Sequence, residues 1–195
     1  WVWIVILITF VFQAVSYEFQ DKAGNILGKN TFRIFLTLNG CLAPLLIGTA
    51  VGTFFTGSQF LVNKNAVADV TAPVISRWCN DWHGLEAVGN LFNVGFGLMV
   101  MLLAICLGAL YMINNIAHQA LTQQLRCRLG QCFALFVPIL LIELIALFTM
   151  DGFAVDESGV VSMQAGKYLH NLLQMPVVAA MFAIGAILLL LGILL

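Results

Sequence analysis

The chain has 195 residues, of which 62% are hydrophobic and 9% are charged, and its formal net charge is −1 at pH 7. An average soluble protein is about 45–50% apolar and about 25% charged, so a soluble fold of this size would leave too much apolar surface in water. The composition therefore excludes an ordinary soluble domain and predicts a membrane protein. The near-neutral charge gives no support to nucleic-acid binding, which favours a basic surface.

Apolar runs of spanning length recur along the whole chain. A transmembrane helix needs about 20 mainly apolar residues, and five segments meet that requirement. We predict an all-α fold, a polytopic transmembrane helix bundle that forms a single transmembrane domain over residues 1–195. The predicted spans are 1–17, 32–55, 88–113, 130–150 and 171–195.

Both ends of the chain lie inside apolar runs. The first run has neither a basic leader nor a small-residue cleavage site, so it does not read as a signal peptide. The chain begins at Trp1 without an initiator Met, and it ends within the apolar run 188–195. We therefore expect the first and last spans to be truncated and the chain to be an internal fragment of a longer subunit.

Basic residues near the span ends predict the orientation. Two turns, 18–31 and 114–129, each hold two basic residues close to a span, whereas the alternate loops, 56–87 and 151–170, hold more acidic than basic residues. The basic residues of the turns are Lys22 and Lys29 in the first and Arg126 and Arg128 in the second. By the positive-inside rule, we expect both turns to be cytoplasmic and the alternate loops, including the long outer loop 56–87, to be periplasmic.

Glu143 is the most informative polar residue, because it lies well inside the span predicted at 130–150. A charged carboxylate at that depth costs several kcal/mol, so it should be protonated, paired or placed beside a hydrated seam. No Lys or Arg falls in the middle of any predicted span. Two interpretations stay open: a proton relay, or a protonated acid that bonds an amide such as Asn93 or Gln174 without any transport role.

Two further candidate sites follow from residue spacing. His83 and Glu86 are three residues apart, so they could form a hydrogen-bonded pair at the outer interface. Gly48 and Gly52 are four apart and form a small-residue face on which a neighbouring helix could pack closely. The three histidines lie near span ends, and the five cysteines form no C-x-x-C pair. The sequence therefore predicts no metal site, no haem ligand and no catalytic residue in this chain.

Two stretches show a more specific pattern: residues 12–20 read FQAVSYEFQ, and residues 43–52 read APLLIGTAVG. Both resemble subunit II of cytochrome bd-type quinol oxidases. Gln13, Ala14 and Gln20 stand where that family often has Arg, Pro and Arg. Four further stretches resemble the Bacteroidetes-like branch of the family, namely 82–87 (WHGLEA), 114–115 (NN), 151–155 (DGFAV) and 167–172 (KYLHNL).

The resemblance implies a subunit of a terminal respiratory oxidase in the bacterial inner membrane. Such a complex oxidises quinol and reduces O₂ to water, and it takes up protons from the cytoplasm. In the family, haem b558, haem b595 and haem d belong to subunit I. Subunit II is its haem-poor partner, with a structural role and a role in proton or oxygen access. A structural quinone, membrane lipid and a small accessory subunit are further expected partners, and this fragment is expected to bind no haem directly.

Two other functions compete with this interpretation. A secondary transporter would use Glu143 as its coupling residue, but such proteins tend to contain inverted repeats, and none is visible in the sequence. A tetraspan-like scaffold would have a disulfide-bonded outer loop, but Cys79 is the only cysteine of the loop at 56–87. We therefore favour the oxidase subunit and keep the transporter as the alternative.

Overall fold

The computed structural model of the protein describes residues 1–63, 65, 74–156 and 158–194. Its helices are α1 (Val2–Phe19), α2 (Lys29–Thr56), α3 (Leu91–Asn115), α4 (Gln119–Thr149), α5 (Lys167–Gln174) and α6 (Pro176–Leu194). Its short strands are β1 (Phe60–Val62), β2 (Ser76–Trp78), β3 (Gly152–Val155) and β4 (Val161–Gln164), and a 3-10 helix covers Leu85–Gly89. Lys64, Asp69 and Glu157, which contribute to the predicted loop charges, lie outside the described residues.

Five of these helices are long and apolar enough to cross a bilayer: α1, α2, α3, α4 and α6. Helices are the expected solution, because every backbone polar group of a spanning segment must be satisfied without water. The predicted all-α class with five candidate spans is thereby confirmed, and the chain is a multi-pass membrane protein. Its contacts divide it into two compact units, Trp1–Leu107 and Gly108–Leu195, so the boundary falls within α3.

The ends of two helices differ from the predicted spans. Helix α4 begins at Gln119, well before the span predicted at 130–150, so most of the turn predicted at 114–129 is helical. The segment between is rich in Gln, Leu and Arg, which favour helix even when they are polar. His118 caps this helix, since its Nδ1 accepts a hydrogen bond from the Leu121 N–H at 3.2 Å.

The span predicted at 171–195 is divided into two helices. The short helix α5 ends at Gln174, and the apolar helix α6 begins at Pro176. Proline disfavours helical backbone in the residue before it, and it fits well at the first position of a new helix. Met175, with φ −111° and ψ 83°, therefore separates an amphipathic helix from a spanning one.

In the first unit, α1 and α2 pack along their length. The buried residues of α1 recur at helical spacing, at Val2, Ile6, Thr9 and Ser16. Val2 and Ile6 form a small apolar core with Leu46 of α2. Toward the α1–α2 turn, the buried residues of α1 become polar.

Helices α2 and α3 approach very closely at glycines. A methyl group at Gly48 would lie 2.7 Å from the Cα of Gly97 and 2.8 Å from the Cβ of Val100. A methyl group at Gly52 would lie 2.9 Å from the Cα of Asn93. Carbon atoms do not approach so closely without displacement, so the face formed by Gly48 and Gly52 is in direct contact with α3. Rings on either side add to this contact, with Phe55 and Phe96 centroids 6.0 Å apart.

Two short hairpins lie outside the helices. Strands β1 and β2 pair antiparallel, with Phe60 opposite Trp78, and all their residues are exposed. In the second unit, β3 and β4 pair antiparallel, and α5 follows them. Phe148 of α4 contacts Phe182 of α6, with ring centroids 6.0 Å apart. No residue of the α6 span at Pro176–Ile193 is buried within the described chain.

Replacing Gly48 by Ala should destabilise the protein, because the added methyl group overlaps the backbone of α3. Overpacking of this kind typically costs about 1–3 kcal/mol. Gly40→Ala is the matched control on the same helix, since nothing lies within 4 Å of its Cβ position. It should be neutral or stabilising, by up to about 1 kcal/mol, because Ala favours helix more than Gly does. Detergent titration of the purified protein would measure both changes, and equal effects would contradict the close contact.

Candidate functional site

A hydrogen-bonded polar cluster lies between α2 and α3. The side chain of Asn93 is 1% exposed. Its Nδ2 donates to the Ala87 carbonyl at 3.2 Å, and its Oδ1 accepts from the Thr56 hydroxyl at 2.9 Å. The neighbouring Gly52 leaves room for this amide. The cluster therefore ties the end of α2, the 3-10 helix and the start of α3 together.

A second group of buried polar atoms has no hydrogen-bond partner in the described parts of the chain. Ser16 is fully buried at 0% exposure and Asn39 is 8% exposed. Among the described residues, the Ser16 Oγ and the Asn39 Nδ2 form no hydrogen bond. A buried polar group without a partner costs about 1–3 kcal/mol. These two atoms therefore mark places in α1 and α2 where a polar partner from outside the chain, such as water, would stabilise the protein.

An aromatic cluster surrounds His83 after strand β2. The Trp1 Nε1 donates to the His83 Nδ1 at 2.7 Å, and the rings of Trp1 and Trp78 lie 5.9 and 6.2 Å from the imidazole. His83 has a φ of 46°, a left-handed conformation that is unusual for a residue other than glycine. The aromatic contacts hold the imidazole in this position.

A cavity of about 320 Å³ opens beside His83. Its wall combines the indoles of this cluster with apolar residues of α2, such as Ile47 and Phe54. Its polar lining residues include Ser58 and His83. An apolar cavity with a few polar groups is the usual form of a small-molecule site.

The His83 and Glu86 side chains, which we expected to pair, bond to other groups in the structure. The Glu86 Oε2 accepts from the Gly84 N–H at 2.8 Å. Its Oε1 is buried and has no hydrogen-bond partner among the described residues. His83 bonds to Trp1. Each residue of the proposed pair is thus held by a different neighbour.

Glu143 is buried in α4, with 9% of its surface exposed. Its Oε2 has no hydrogen-bond partner in the part of the chain that is described. The two amides considered as partners are bonded elsewhere: Asn93 to Thr56 and Ala87, and Gln174 Nε2 to the His170 Nε2 at 2.9 Å. A buried carboxyl group without an internal partner is expensive in a membrane, and such groups commonly have functional roles.

The sequence pointed to Glu143 and to the small face at Gly48 and Gly52, but it assigned no contact to Trp1. An Asn at the start of a span is a usual candidate for an interhelical bond, and Asn93 forms one with Thr56. Within the described residues, no group of three His, Cys, Asp or Glu side chains is arranged to hold a metal ion.

Comparison with known proteins places the whole chain in one family. The family model of cytochrome bd terminal oxidase subunit II matches residues 1–195. This match covers the five candidate spans and all the residues of the polar and aromatic clusters. No curated protein matches the chain.

Removing the amide of Asn93 should leave the Thr56 hydroxyl and the Ala87 carbonyl without their partner. We expect Asn93→Ala to lower the free energy of unfolding by about 1–3 kcal/mol. A double-mutant cycle with Thr56→Val, measured by detergent titration, should give a coupling of about 0.6–2 kcal/mol. Asn115→Ala is the control at the exposed end of α3, and it should change stability by less than about 0.5 kcal/mol. A coupling near zero would show that the cluster does not stabilise the helix contact.

Proposed function

We propose, because this chain belongs to the cytochrome bd terminal oxidase subunit II family, that it is the haem-poor partner of a haem-bearing subunit I. In that complex, quinol is oxidised and O₂ is reduced to water, with the reaction carried out on the haems of subunit I. The chain is not catalytic alone, and its role is to stabilise the complex and give protons or oxygen access to it. The family match over residues 1–195 is the observation that carries this proposal. We also propose that the chain belongs to the Bacteroidetes-like branch.

The positions of the histidines support the proposal that subunit I holds the haems and this chain does not. Haem iron is commonly held by His side chains that face into a packed helix bundle. All three histidines of this chain, His83, His118 and His170, lie outside the five candidate spans. The chain thus offers no histidine ligand at membrane depth, and we assign haem b558, haem b595 and haem d to subunit I.

The exposed apolar surface supports a structural role in a larger assembly. Helix α6 has no buried residue in its candidate span within the described chain, and α4 exposes large side chains such as Leu141, Ile142 and Ile145. Lipid can cover such surfaces, and so can another membrane subunit. Subunit I is the main partner that we propose, with lipid and a small accessory subunit on the remaining faces.

We place the protein in the bacterial inner membrane, with the turns at 18–31 and 114–129 on the cytoplasmic side. The support is the positive-inside rule, applied to Lys22, Lys29, Arg126 and Arg128. In this orientation the loops 56–87 and 151–170, with their two hairpins, face the periplasm. Protons consumed in O₂ reduction then enter from the side on which the α3–α4 turn lies.

Glu143 is the residue that we propose for proton access. Its burial at 9% exposure and its unpartnered Oε2 support this role. A carboxyl group in a membrane span can bind and release a proton when water or another polar group reaches it. No step of O₂ reduction occurs at Glu143 itself.

The cavity beside His83 is the site that we propose for a structural quinone. Quinone carbonyl oxygens accept hydrogen bonds, and the cavity is lined by Ser58, whose side chain carries a hydroxyl donor. Because the His83 Nδ1 accepts from the Trp1 indole, a neutral His83 carries its proton on Nε2 and is a second donor. The indoles of Trp1 and Trp78 and the ring of Phe54 provide apolar surface for a quinone ring.

Purification of the natural subunit from its own membrane tests the proposed function. We expect a haem-bearing partner to co-purify and the reduced preparation to show the long-wavelength band of haem d. Solvent extraction should release quinone from the same preparation, and less from a His83→Ala variant that keeps the haem spectrum. A haem-free protein that moves a solute in liposomes would contradict the oxidase assignment and support the transporter.

Replacing Glu143 by Gln keeps the shape of the side chain but removes its exchangeable carboxyl proton. In the assembled complex, we expect proton uptake after an oxygen pulse to slow by about tenfold or more, since a positioned acid or base typically contributes roughly 10²–10⁴-fold. A pH-sensitive dye measures the uptake. Asp151→Asn is the matched control, because Asp151 is exposed directly after α4. Unchanged uptake in Glu143→Gln would exclude the relay.

A further inference from the structure

The basic residues of the two turns differ in how they are neutralised. In the α1–α2 turn, Lys22 pairs with Glu18 at 2.8 Å, and Lys29 pairs with Asp21. Arg126 and Arg128 have no acidic partner among the residues that the structure describes. Within the described part of the chain, the only side-chain hydrogen bond of either arginine runs from the Arg128 Nη1 to the Gln131 Oε1 at 3.3 Å. The first part of α4 therefore carries two positive charges that the described chain leaves uncompensated.

The length of α4 places these charges at the membrane surface. This helix has 31 residues, which corresponds to about 46 Å at 1.5 Å per residue. The hydrocarbon core of a bilayer is about 30 Å thick. The apolar part of α4, from Cys132 to Thr149, is long enough to cross most of that core. The first part, from Gln119 to Gln131, therefore projects beyond the hydrocarbon.

The two arginines lie within the headgroup layer or at its outer edge. Arg128 and Arg126 precede Cys132 by four and six positions along the helix, which corresponds to about 6 and 9 Å. The headgroup layer on each side of a bilayer is about 5–8 Å thick. Both guanidinium groups are exposed and can reach lipid phosphates from that position. Being two residues apart on a helix, they lie on nearly opposite sides of it.

An open cleft of about 670 Å³ lies on the Arg126 side, where the end of α3 meets the start of α4. Both polar and apolar side chains line this cleft. The polar ones include a hydroxyl and two amides, and the apolar ones come from the end of α3 and the turn. The residues that matter here are Ile113, Ile116, Gln119, Thr122, Gln123 and Arg126.

We propose that this cleft binds the headgroup of an anionic phospholipid from the leaflet at the α3–α4 turn. The Arg126 guanidinium pairs with the lipid phosphate, and Thr122, Gln119 and Gln123 supply further hydrogen bonds to the headgroup. Ile113 and Ile116 contact the glycerol and the first carbons of the acyl chains. The proposal depends on the chain spanning a membrane, and it holds whichever side the α3–α4 turn faces.

Three features favour a lipid over a soluble anion or an acidic peptide. The cleft has an apolar part, which a free phosphate would not use. It lies at the depth where lipid phosphates are concentrated, so the ligand is always present. An acidic peptide would pair with the arginines on both sides of α4. The apolar residues of this cleft lie only beside Arg126, as expected for a site that binds one lipid.

Spin-labelled lipids test the proposal on the intact oxidase complex reconstituted in phosphatidylcholine vesicles. The measurement is the preference of the protein-associated lipid fraction for phosphatidylglycerol over phosphatidylcholine. We expect Arg126→Gln to lower this preference by more than fivefold, because one basic residue near a membrane surface contributes about 1 kcal/mol and Arg126 also pairs with the headgroup inside the cleft. Arg126→Lys should keep most of the preference. Variants are compared after their haem spectra show that the complex has assembled.

Arg128→Gln is the matched control, since it removes the same charge from the same helix at similar depth but outside this cleft. A smaller loss in Arg128→Gln than in Arg126→Gln supports the cleft. Equal losses would indicate general surface charge and would overturn the proposal. Loss of the wild-type preference when glycerol phosphate is added at millimolar concentration would also overturn it, because the cleft would then bind a soluble phosphate. Thr122→Val gives a second test, with a smaller loss expected on the same lipid.

Discussion

Water is absent from the hydrocarbon core of a bilayer, so the backbone N–H and C=O groups of a spanning segment must bond within the protein. Helices meet this requirement locally, which is why the chain consists mainly of long helices with short hairpins in its loops. Polar side chains follow the same rule. Thr49, at 1% exposure, donates its hydroxyl to the Leu45 carbonyl at 2.8 Å, one turn earlier in its own helix. Asn93 instead bonds between helices.

The contact between α2 and α3 shows how shape and polarity work together under this constraint. Lipid chains are as apolar as Leu, so burial of apolar surface gives little drive for helices to associate in a membrane. Close approach and hydrogen bonds must supply the stability. Gly48, Gly52 and Gly97 permit the approach, and Asn93 supplies the hydrogen bonds at one end of it. Some buried polar atoms, at Ser16, Asn39, Glu86 and Glu143, lack such partners among the described residues, and water or another group is needed there.

The two compact units differ in how many of their helical residues are buried by other parts of the chain. In the first unit, buried residues occur along α1, α2 and the part of α3 up to Cys106. In the second, α4 buries only Phe136 and Glu143 among its described residues, and α6 buries none. Such apolar surface is stable only in lipid or against another membrane subunit. A subunit of a larger oxidase complex is expected to have this character.

Composition and apolar run length alone determined the membrane location, the all-α class and the five candidate spans, because a long apolar segment has one favourable conformation in lipid. The family resemblance of residues 12–20 and 43–52 was also visible in the sequence and agrees with the family match over the whole chain. The start of α4 was less visible. Gln, Leu and Arg favour helix, so the change in polarity at residues 119–131 did not mark the end of the helix.

The tertiary structure alone decided which polar side chains meet. Asn93 bonds Thr56 across 37 positions in sequence, and His83 bonds Trp1 across 82. The nearby spacing of His83 and Glu86 suggested a pair, but each side chain is bound by another neighbour. Local spacing fixes which residues share one helix face, whereas partners on different elements depend on the distance and register between those elements. The distance and register between elements are set by close approach at glycines and by the path of the loops. The residue spacing within one segment encodes neither the distance nor the register.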